Sequence, residues 1–293
     1  MELLSDRGNL HNLTAVSFIR NGFSTRIKNI VSCQRLASNV DVYWEASEQF
    51  GYKGLSYYFP ELKETKTYKN KLYRYGWWRL ATLAGEVEEG FTNKDDLFEH
   101  CKRQFHPENY KIEDHYGFNP RGKGIDFEFH RTPNTLKMEY GKLFSNLKIA
   151  HHILDKVDEF STEHFDGNTI SVHMRTWVDC HWRRPTVFSF ESYIEAMMQH
   201  QGSKFFISTD DCKVIPKLKK IFGDENIITY PNSMERYVGF FVDLLLLSKN
   251  DKIIGSLLST FTELAWWFSG TKAEIEIPYP KKIIQYQDTQ FKI

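Results

Sequence analysis

Three polar clusters in the second half of the chain contain the residue types of an anion-binding site. They occupy residues 173–175, 208–211 and 256–260, and each directly follows a short apolar run that predicts a β-strand. In open parallel sheets, ligands bind beyond the carboxyl ends of the strands. Side chains at three such ends can meet, so we predict one polar site built from distant parts of the chain.

The clusters supply complementary contacts for a nucleoside diphosphate. The Arg175 guanidinium is a fixed fork of donors that matches a phosphate bidentately. The turn that ends at Thr260 offers hydroxyls together with the unsatisfied backbone N–H groups and the dipole of a helix N-terminus. Asp210 and Asp211 can accept hydrogen bonds from ribose hydroxyls or a base edge. Such an arrangement holds a diphosphate without a metal ion.

Each cluster taken alone also has a purely structural interpretation. Thr260 with Glu263 fits a capping box, which predicts where a helix begins. The pair Asp210 and Asp211 fits a helix N-cap, and His173 fits a core histidine with satisfied polar atoms. These alternatives stay open for the separate clusters, whereas their coincidence at one sheet edge favours a ligand site.

The elements that would position the clusters alternate between strands and helices. Five strands are predicted at residues 169–174, 204–208, 226–229, 252–255 and 273–277. The helices between them are predicted at residues 190–201, 213–222, 238–248 and 260–268. This alternation is typical of βαβ units and of a parallel sheet covered on both faces.

The first half of the chain has a weaker pattern. Strands are predicted at residues 15–19 and 40–44, and a helix at residues 23–36 between them. This is a plausible opening for a Rossmann-like domain, although the glycine content is too low for a dinucleotide fingerprint.

A junction between two domains is predicted after a long amphipathic helix. Helical spacing runs from residue 147 to residue 165, and Asp166-Gly167 is a turn signal. We therefore predict an N-terminal domain of residues 1–165 and a C-terminal domain of residues 166–293.

Composition argues against several classes of protein. The 293 residues include 38 basic and 38 acidic side chains, so there is no electrostatic case for nucleic acid as a partner. The start lacks a signal-peptide pattern, and no apolar run approaches the roughly 18 residues of a membrane span. The four cysteines form no CxxC pair, which favours reduced thiols over a disulfide framework or a zinc site. We expect a cytoplasmic protein with no metal site.

Three segments resemble the motifs of the fucosyltransferase superfamily, which includes core α1,6-, nodulation-type, α1,2- and protein O-fucosyltransferases. The His-x-Arg strand motif is matched by ISVHMRTW, and the strand ending in (S/A)TDD by FFISTDD. The third motif, an Asp-led helix followed by a strand and a Ser-Thr-Phe turn, is matched by VDLLLLSKNDKIIGSLLSTFTELAWWF. The opening GLGNRL…ALA…VYW segment is similar to NGFSTRIKNIVSCQRLASNVDVYWEA.

The resemblance implies a GT-B-like α/β fold, in which two Rossmann-like domains face each other across a cleft and the C-terminal one holds GDP-fucose. It implies that Arg175 binds the donor β-phosphate, that His173 supports the nucleotide or its phosphate, and that Asp243 contacts the guanine. The full donor-binding set implied in this way is Arg26, His173, Arg175, Asp210, Asp211, Asp243, Ser259, Thr260 and Phe261.

The segment after the first arginine departs from the superfamily pattern. Thr176 stands where many relatives have a second arginine, and an aromatic and basic insert follows. Its Trp177 and Trp182 could stack on a sugar face. Its Arg183 and Arg184 could replace the missing phosphate contact.

The chemistry implied is inverting transfer, in which an acceptor hydroxyl attacks C1 of the sugar as the nucleotide diphosphate leaves. Arg175 and the helix start suit the leaving-group charge. Asp179 and His181 are the titratable groups of the insert that could take the hydroxyl proton, with Glu45 more distant. Some members of the superfamily lack an obvious base, so this role is left open.

We expect an inverting glycosyltransferase that moves L-fucose from GDP-fucose to a glycan hydroxyl, with no cofactor beyond the donor. Three alternatives stay open: a transferase for another NDP-sugar, a non-catalytic homologue that binds a nucleotide or sugar, and a structural protein with a parallel α/β core.

Overall fold

The computed structural model describes residues 10–17, 22–47, 53–66, 86–87, 134–178, 188–231, 236–257 and 259–278. Contacts divide the described residues into two compact units, one that ends at Ala150 and one that begins at His151. Each unit contains its own sheet, and each is described separately below.

The first unit is built on a four-stranded sheet with the order β3-β2-β1-β4. Its strands are β1 (Leu10–Ser17), β2 (Ala37–Trp44), β3 (Glu64–Thr65) and β4 (Glu86–Val87). β2 lies parallel to both β1 and β3, whereas β4 is antiparallel to β1. Its helices are α1 (Phe23–Leu36), α2 (Leu55–Tyr58) and α3 (Asn134–Asn146).

Helix α1 has the predicted bounds and connects the two central strands as a parallel crossover. Phe23, Ile27, Ile30 and Val31 recur at helical spacing and are buried, so this face packs on the sheet. Both flanking strands begin earlier than predicted. The strand–helix–strand opening is therefore present in the first unit.

The second unit is built on five parallel strands with the order β7-β6-β5-β8-β9. They are β5 (Thr169–Met174), β6 (Lys204–Thr209), β7 (Ile227–Ile228), β8 (Lys252–Ile254) and β9 (Glu274–Glu276). The helices are α4 (His151–His164), α5 (Phe190–Met198), α6 (Ile215–Phe222), α7 (Arg236–Leu247) and α8 (Thr260–Phe268). All five predicted strands are present, with small differences at their ends.

Strand β5 lies at the centre of this sheet and is buried along its whole length. Val172 and Met174 point into the apolar core formed with α5 and α6. Ser171 and His173 point to the other face, where His173 meets Thr262 of α8. A strand covered on both faces in this way is typical of a parallel α/β sheet.

The strand order reverses beside β5. The chain passes from β5 outward to β6 and β7, and then returns to place β8 on the opposite side of β5. The helices that follow β5 and β8 therefore diverge, which opens a crevice at the carboxyl ends of these two strands. The second unit thus has a topological switch point next to His173 and Gly255.

The predicted helix over residues 147–165 is α4, which begins only at His151, and a break separates it from α3, which ends at Asn146. Within the break, the backbone N–H of Ala150 donates to the carbonyl of Tyr58, 3.0 Å away in the first unit. The next helix, α4, packs on the second unit, since Phe160 contacts Phe206 of β6. The contact boundary therefore precedes α4, whereas we placed the junction after it.

Two general properties of the described residues concern membranes and thiols. No helix in the described ranges combines the length and the apolar character needed to cross a bilayer. Cys33 is buried, with its Sγ 3.8 Å from Oδ1 of Asn29, whereas Cys212 is an exposed thiol.

The close approach of α8 to the end of β8 gives a first prediction. A Cβ on Gly255 would lie 2.3 Å from Cγ2 of Thr262 and 3.0 Å from Cδ1 of Ile277. We expect Gly255→Ala to lower the free energy of unfolding by about 1–3 kcal/mol because the helix must shift. Urea denaturation measures this change. Gly167→Ala is the matched control in the same unit, since its Cβ would meet nothing within 4 Å; equal effects of the two substitutions would contradict the prediction.

Candidate functional site

Arg175 leaves the carboxyl end of β5 and is held by Asp210, which follows β6. Its Nη1 donates to Oδ2 of Asp210 at 2.7 Å, and Oδ1 of the same carboxylate accepts from the backbone N–H of Thr176 at 2.6 Å. The Arg175 side chain is 30% exposed and that of Asp210 13%, so the pair is partly shielded from water. Asp210 therefore fixes both the guanidinium and the strand end.

Asp211 has the structural role that the sequence left open for the acidic pair. Its carboxylate accepts from the backbone N–H of Lys213 at 3.1 Å and caps the 3₁₀ turn Cys212–Val214. The two neighbouring acids thus differ: Asp210 contacts Arg175, and Asp211 caps a turn.

His173 is buried below the end of β5. Its Nδ1 lies 2.7 Å from Oγ1 of Thr262, and its ring centroid lies 4.9 Å from that of Phe261. Burial, and to a smaller extent the charge of Arg175, lowers the pKa of His173 to about 3. The imidazole is therefore neutral at physiological pH, and it hydrogen-bonds to the helix that carries the candidate anion site.

The start of α8 differs from the predicted capping box. Ser259 is the N-cap, and its Oγ accepts from the backbone N–H of Phe261 at 3.2 Å. The capping box of Thr260 and Glu263 is wrong, because Glu263 lies on the buried face, where it accepts from Nε1 of Trp267 at 3.3 Å. The three predicted residues 259–261 nonetheless form the first turn of the helix.

Asp243 of α7 lies on the same face of the sheet as His173. It accepts from Oγ of Ser208 at 3.1 Å, and Ser208 is the register partner of His173 across β5 and β6. Asp243 is buried, and this burial raises the pKa of its carboxyl to about 7, although the hydrogen bond from Ser208 opposes the shift. Near neutral pH its carboxyl exchanges between neutral and charged forms.

Sequence reasoning missed two residues that join these groups. Tyr193 of α5 places its hydroxyl 2.6 Å from Oγ of Ser256, and Oγ1 of Thr262 accepts from the backbone N–H of Ser256 at 3.0 Å. Ser256 had been assigned to the anion-binding turn, but its hydroxyl bonds inward, to the carbonyl of His173 and the N–H of Arg175. The local sequence signal of this network is the polar Thr262 in the largely apolar segment that forms α8.

Arg26 belongs to the first unit, where it is fully buried. Its Nη2 donates to the carbonyls of Ser17 at 3.3 Å and Glu45 at 2.7 Å, and Cζ lies 3.5 Å above the Trp44 ring. The guanidinium therefore joins the carboxyl ends of β1 and β2. Its contact with a donor stays a prediction.

Trp177 has a left-handed backbone conformation with φ of 54°, which is unusual for a bulky side chain. Its ring lies 5.0 Å from Cζ of Arg175, so a face predicted to stack on a sugar is next to the arginine. The other predicted residues of this insert, Asp179, His181, Trp182, Arg183 and Arg184, lie outside the described residues.

The described residues place Arg175, His173, Asp210, Asp243 and the start of α8 at the switch point of one sheet. This set combines an oriented guanidinium, a neutral imidazole and a helix N-terminus. Within the same part of the chain, no group of three or more His, Cys, Asp or Glu side chains is arranged to hold a metal ion.

Comparison with known proteins identifies the fold. No protein-family model matches this chain, and no curated protein matches it in sequence. It is similar to the fucosyltransferase NodZ from Bradyrhizobium, with 16% identity over 87% of this chain and 91% of that chain and a TM-score of 0.51. It is also similar to the apo form of POFUT1, with 10% identity over 92% of this chain and 98% of that chain and a TM-score of 0.56.

A further structure, POFUT1 in complex with GDP-fucose, has 9% identity over 92% of this chain and 98% of that chain, with a TM-score of 0.53. At these identities the likeness concerns the fold. The predicted GT-B-like α/β fold class is confirmed, and the motif resemblance led to the right group of folds.

The raised pKa of Asp243 gives a prediction about stability. Between about pH 4 and pH 7 the folded protein keeps this proton while the unfolded chain has lost it, so the contribution of Asp243 to stability declines as pH rises through this range. Asp243→Asn cannot ionise. We expect its free energy of unfolding, relative to wild type, to increase from pH 5 to pH 8.

Urea denaturation at a series of pH values measures this difference. Asp224→Asn is the control, because it removes a carboxylate from an exposed position. A difference between wild type and Asp243→Asn that is independent of pH would show that the carboxyl of Asp243 does not keep its proton in the folded state.

Proposed function

We propose that this chain is an inverting glycosyltransferase that moves L-fucose from GDP-fucose to a hydroxyl of a glycan. The observation that carries the proposal is the meeting of Arg175, His173 and the start of α8 at the switch point between β5 and β8. The similarity of the fold to fucosyltransferase structures, one of them in complex with GDP-fucose, supports this choice of donor.

The leaving diphosphate needs stabilisation of negative charge. A guanidinium has five N–H donors, and the bond from Nη1 of Arg175 to Asp210 orients the group. The backbone N–H groups in the first turn of α8 add the partial positive charge of a helix N-terminus. We propose that these two elements bind the diphosphate, and that transfer therefore requires no metal ion.

His173 is suited to hydrogen bonding and unsuited to proton abstraction. Because its pKa is about 3, it is a weak base at neutral pH and does not add a positive charge. We propose that its imidazole supports the diphosphate or nucleotide, whereas the acceptor hydroxyl loses its proton to another group. Asp179 and His181 remain the candidates for that base, with Glu45 a more distant one, and a mechanism without a dedicated base stays open.

The carboxylate of Asp243 would favour guanine over other nucleotide bases. An ionised carboxylate can accept from both N1–H and the 2-amino group of guanine, and adenine presents no such pair of donors. Because Asp243 is already buried and bonded to Ser208, its free lone pairs are oriented before the ligand arrives. We propose that this contact selects GDP over other nucleoside diphosphates.

A thermal-shift panel of GDP, ADP, UDP and CDP tests the nucleotide, followed by GDP release from GDP-fucose in the presence of glycan acceptors. We expect GDP to raise the melting temperature most, because a ligand of the native state stabilises it by mass action. Binding without turnover would favour the non-catalytic homologue. The absence of any nucleotide-dependent shift would overturn the proposal.

Removal of the guanidinium should strongly weaken donor binding. We expect Arg175→Ala to weaken GDP binding by about 2–4 kcal/mol, because a charged hydrogen-bond donor to the diphosphate is lost. Isothermal titration calorimetry measures the affinity, and the melting temperature reports whether the fold is intact. Lys249→Ala is the control in the same unit, since it breaks an exposed ion pair with Asp158; an Arg175→Ala variant with wild-type turnover would refute the role.

Donor affinity should increase as pH rises through 7. If the ionised carboxylate of Asp243 binds guanine, its ionised fraction grows about tenfold between pH 6 and pH 8 for a pKa of about 7, and the Kd falls accordingly. GDP-fucose is the ligand of choice, because its esterified diphosphate does not titrate near pH 7. Asp243→Asn should lose this pH dependence, and its retention there would assign the titration to another group.

A further inference from the structure

Strand β8 ends two residues before its neighbour β5. The last register pair between them is Val172 with Ile254, whereas β5 continues to Met174. The carbonyl of His173 and the N–H of Arg175 lie beyond this pairing, on the side from which β8 has departed. Backbone groups in such a partly buried position need a partner, so the early end of β8 must be compensated.

Ser256 replaces the missing stretch of strand. Its Oγ accepts from the backbone N–H of Arg175 at 2.7 Å and donates to the carbonyl of His173 at 2.8 Å. A hydroxyl can do both, because it has one proton and two lone pairs. One serine side chain therefore holds the peptide groups on both sides of Met174.

Tyr193 completes the hydrogen bonds of this serine. In the arrangement in which the Ser256 proton is directed at the carbonyl of His173, Tyr193 is the donor in the 2.6 Å contact between the two hydroxyls, and its proton is then not given to the carbonyl of His173, 3.2 Å away. Ser256 then has all three of its hydrogen bonds. The tyrosine hydroxyl also lies 3.0 Å from the carbonyl of Gly255, which is the residue after β8.

A second path leads from the same serine to the imidazole. The backbone N–H of Ser256 donates to Oγ1 of Thr262, which lies 2.7 Å from Nδ1 of His173. Ser256 therefore reaches His173 in two ways. Its hydroxyl bonds to the backbone carbonyl of His173, and its backbone N–H bonds to Thr262, which contacts the His173 ring. The four residues of the network are each at most 5% exposed, so water does not easily substitute for a lost hydrogen bond; they are His173, Tyr193, Ser256 and Thr262.

We propose that Tyr193 is a positioning residue of the donor site. It comes from α5, on the face of the sheet opposite to the His173 ring, and its hydroxyl fixes Ser256, which sets the backbone from which His173 and Arg175 extend. The positioning effect on a nucleotide rests on the function proposed above. The effect on the His173 ring does not require a ligand.

Tyr193→Phe removes the hydroxyl and keeps the ring. We expect GDP binding about tenfold weaker than in wild type, because the loss of a buried hydrogen bond loosens both diphosphate contacts. The matched control is Tyr58→Phe in the first unit, where a fully buried tyrosine accepts from the backbone N–H of Lys53 at 3.3 Å. Both variants should have a lower melting temperature than wild type, but only Tyr193→Phe should have a lower affinity for GDP.

A readout without ligand separates this inference from the proposed function. The ¹⁵N shifts of the His173 ring, assigned by their absence in His173→Gln, report its tautomer and its bond to Thr262. We expect them to change or broaden in unliganded Tyr193→Phe and to stay unchanged in Tyr58→Phe. If wild type binds no nucleotide, the proposed function fails while this measurement still decides the positioning role.

Ser256→Ala provides a second variant that breaks the same path. Because Tyr193 is proposed to act through Ser256, the double variant should bind GDP no more than about twofold more weakly than Ser256→Ala alone. Ser256→Ala also carries the test if Tyr193→Phe cannot be purified. Wild-type ring shifts in both single variants, or additive losses of affinity in the double variant, would overturn the inference.

Discussion

The reversal of strand order beside β5 is the constraint on which the candidate site depends. All five strands of the second unit are parallel, so their carboxyl ends share one edge of the sheet. The chain must turn away from that edge into a helix after each strand. Because β6 and β8 lie on opposite sides of β5, the helices after β5 and β8 cannot cover the gap between them. His173, Arg175 and Ser256 lie at this gap, and the start of α8 forms part of it.

The charged and titratable side chains described at the gap are paired, neutral or partly protonated. Arg175 is paired with Asp210, His173 is neutral because its pKa is about 3, and Asp243 has a pKa near 7. An uncompensated charge in such a place would be costly to bury, and Arg175 has the carboxylate of Asp210 beside it. Within the described residues, an anionic ligand would therefore meet oriented donors and a helix dipole. That arrangement favours recognition of an anionic ligand by the geometry of its hydrogen bonds.

Local sequence patterns predicted most elements of the second unit because each strand and helix there has a clear period. The bounds of β5 and α8 match the prediction, as do those of α1 in the first unit, since apolar spacing and turn residues mark both ends. The predicted capping box was wrong because Glu263 and Trp267 bond to each other on the buried face, a choice made by packing. The break before α4 depends on a contact with Tyr58, which is distant in sequence.

The composition of the site was harder to predict than its location. Three polar strand ends indicated where a ligand could bind. Local sequence patterns do not determine the strand order, which places the ends of β5 and β8 next to each other. Tyr193 lies in a helix whose spacing explains it as a core residue, and its hydroxyl meets Ser256 only because the fold brings α5 next to the end of β8. Asp210 and Asp211 are adjacent and identical in type, so their different partners follow from the direction of the chain after β6.

The anchoring of the β5 end through main-chain groups has an evolutionary consequence. The N–H groups of Arg175 and Thr176 donate to Ser256 and Asp210, and these bonds form whatever side chains residues 175 and 176 carry, proline excepted. The Arg175 side chain is 30% exposed, so a different side chain has room at that position, whereas Thr176 is fully buried and its place is confined by packing. A substitution at position 175 can therefore alter the chemistry of the crevice while the backbone bonds that support the strand end persist.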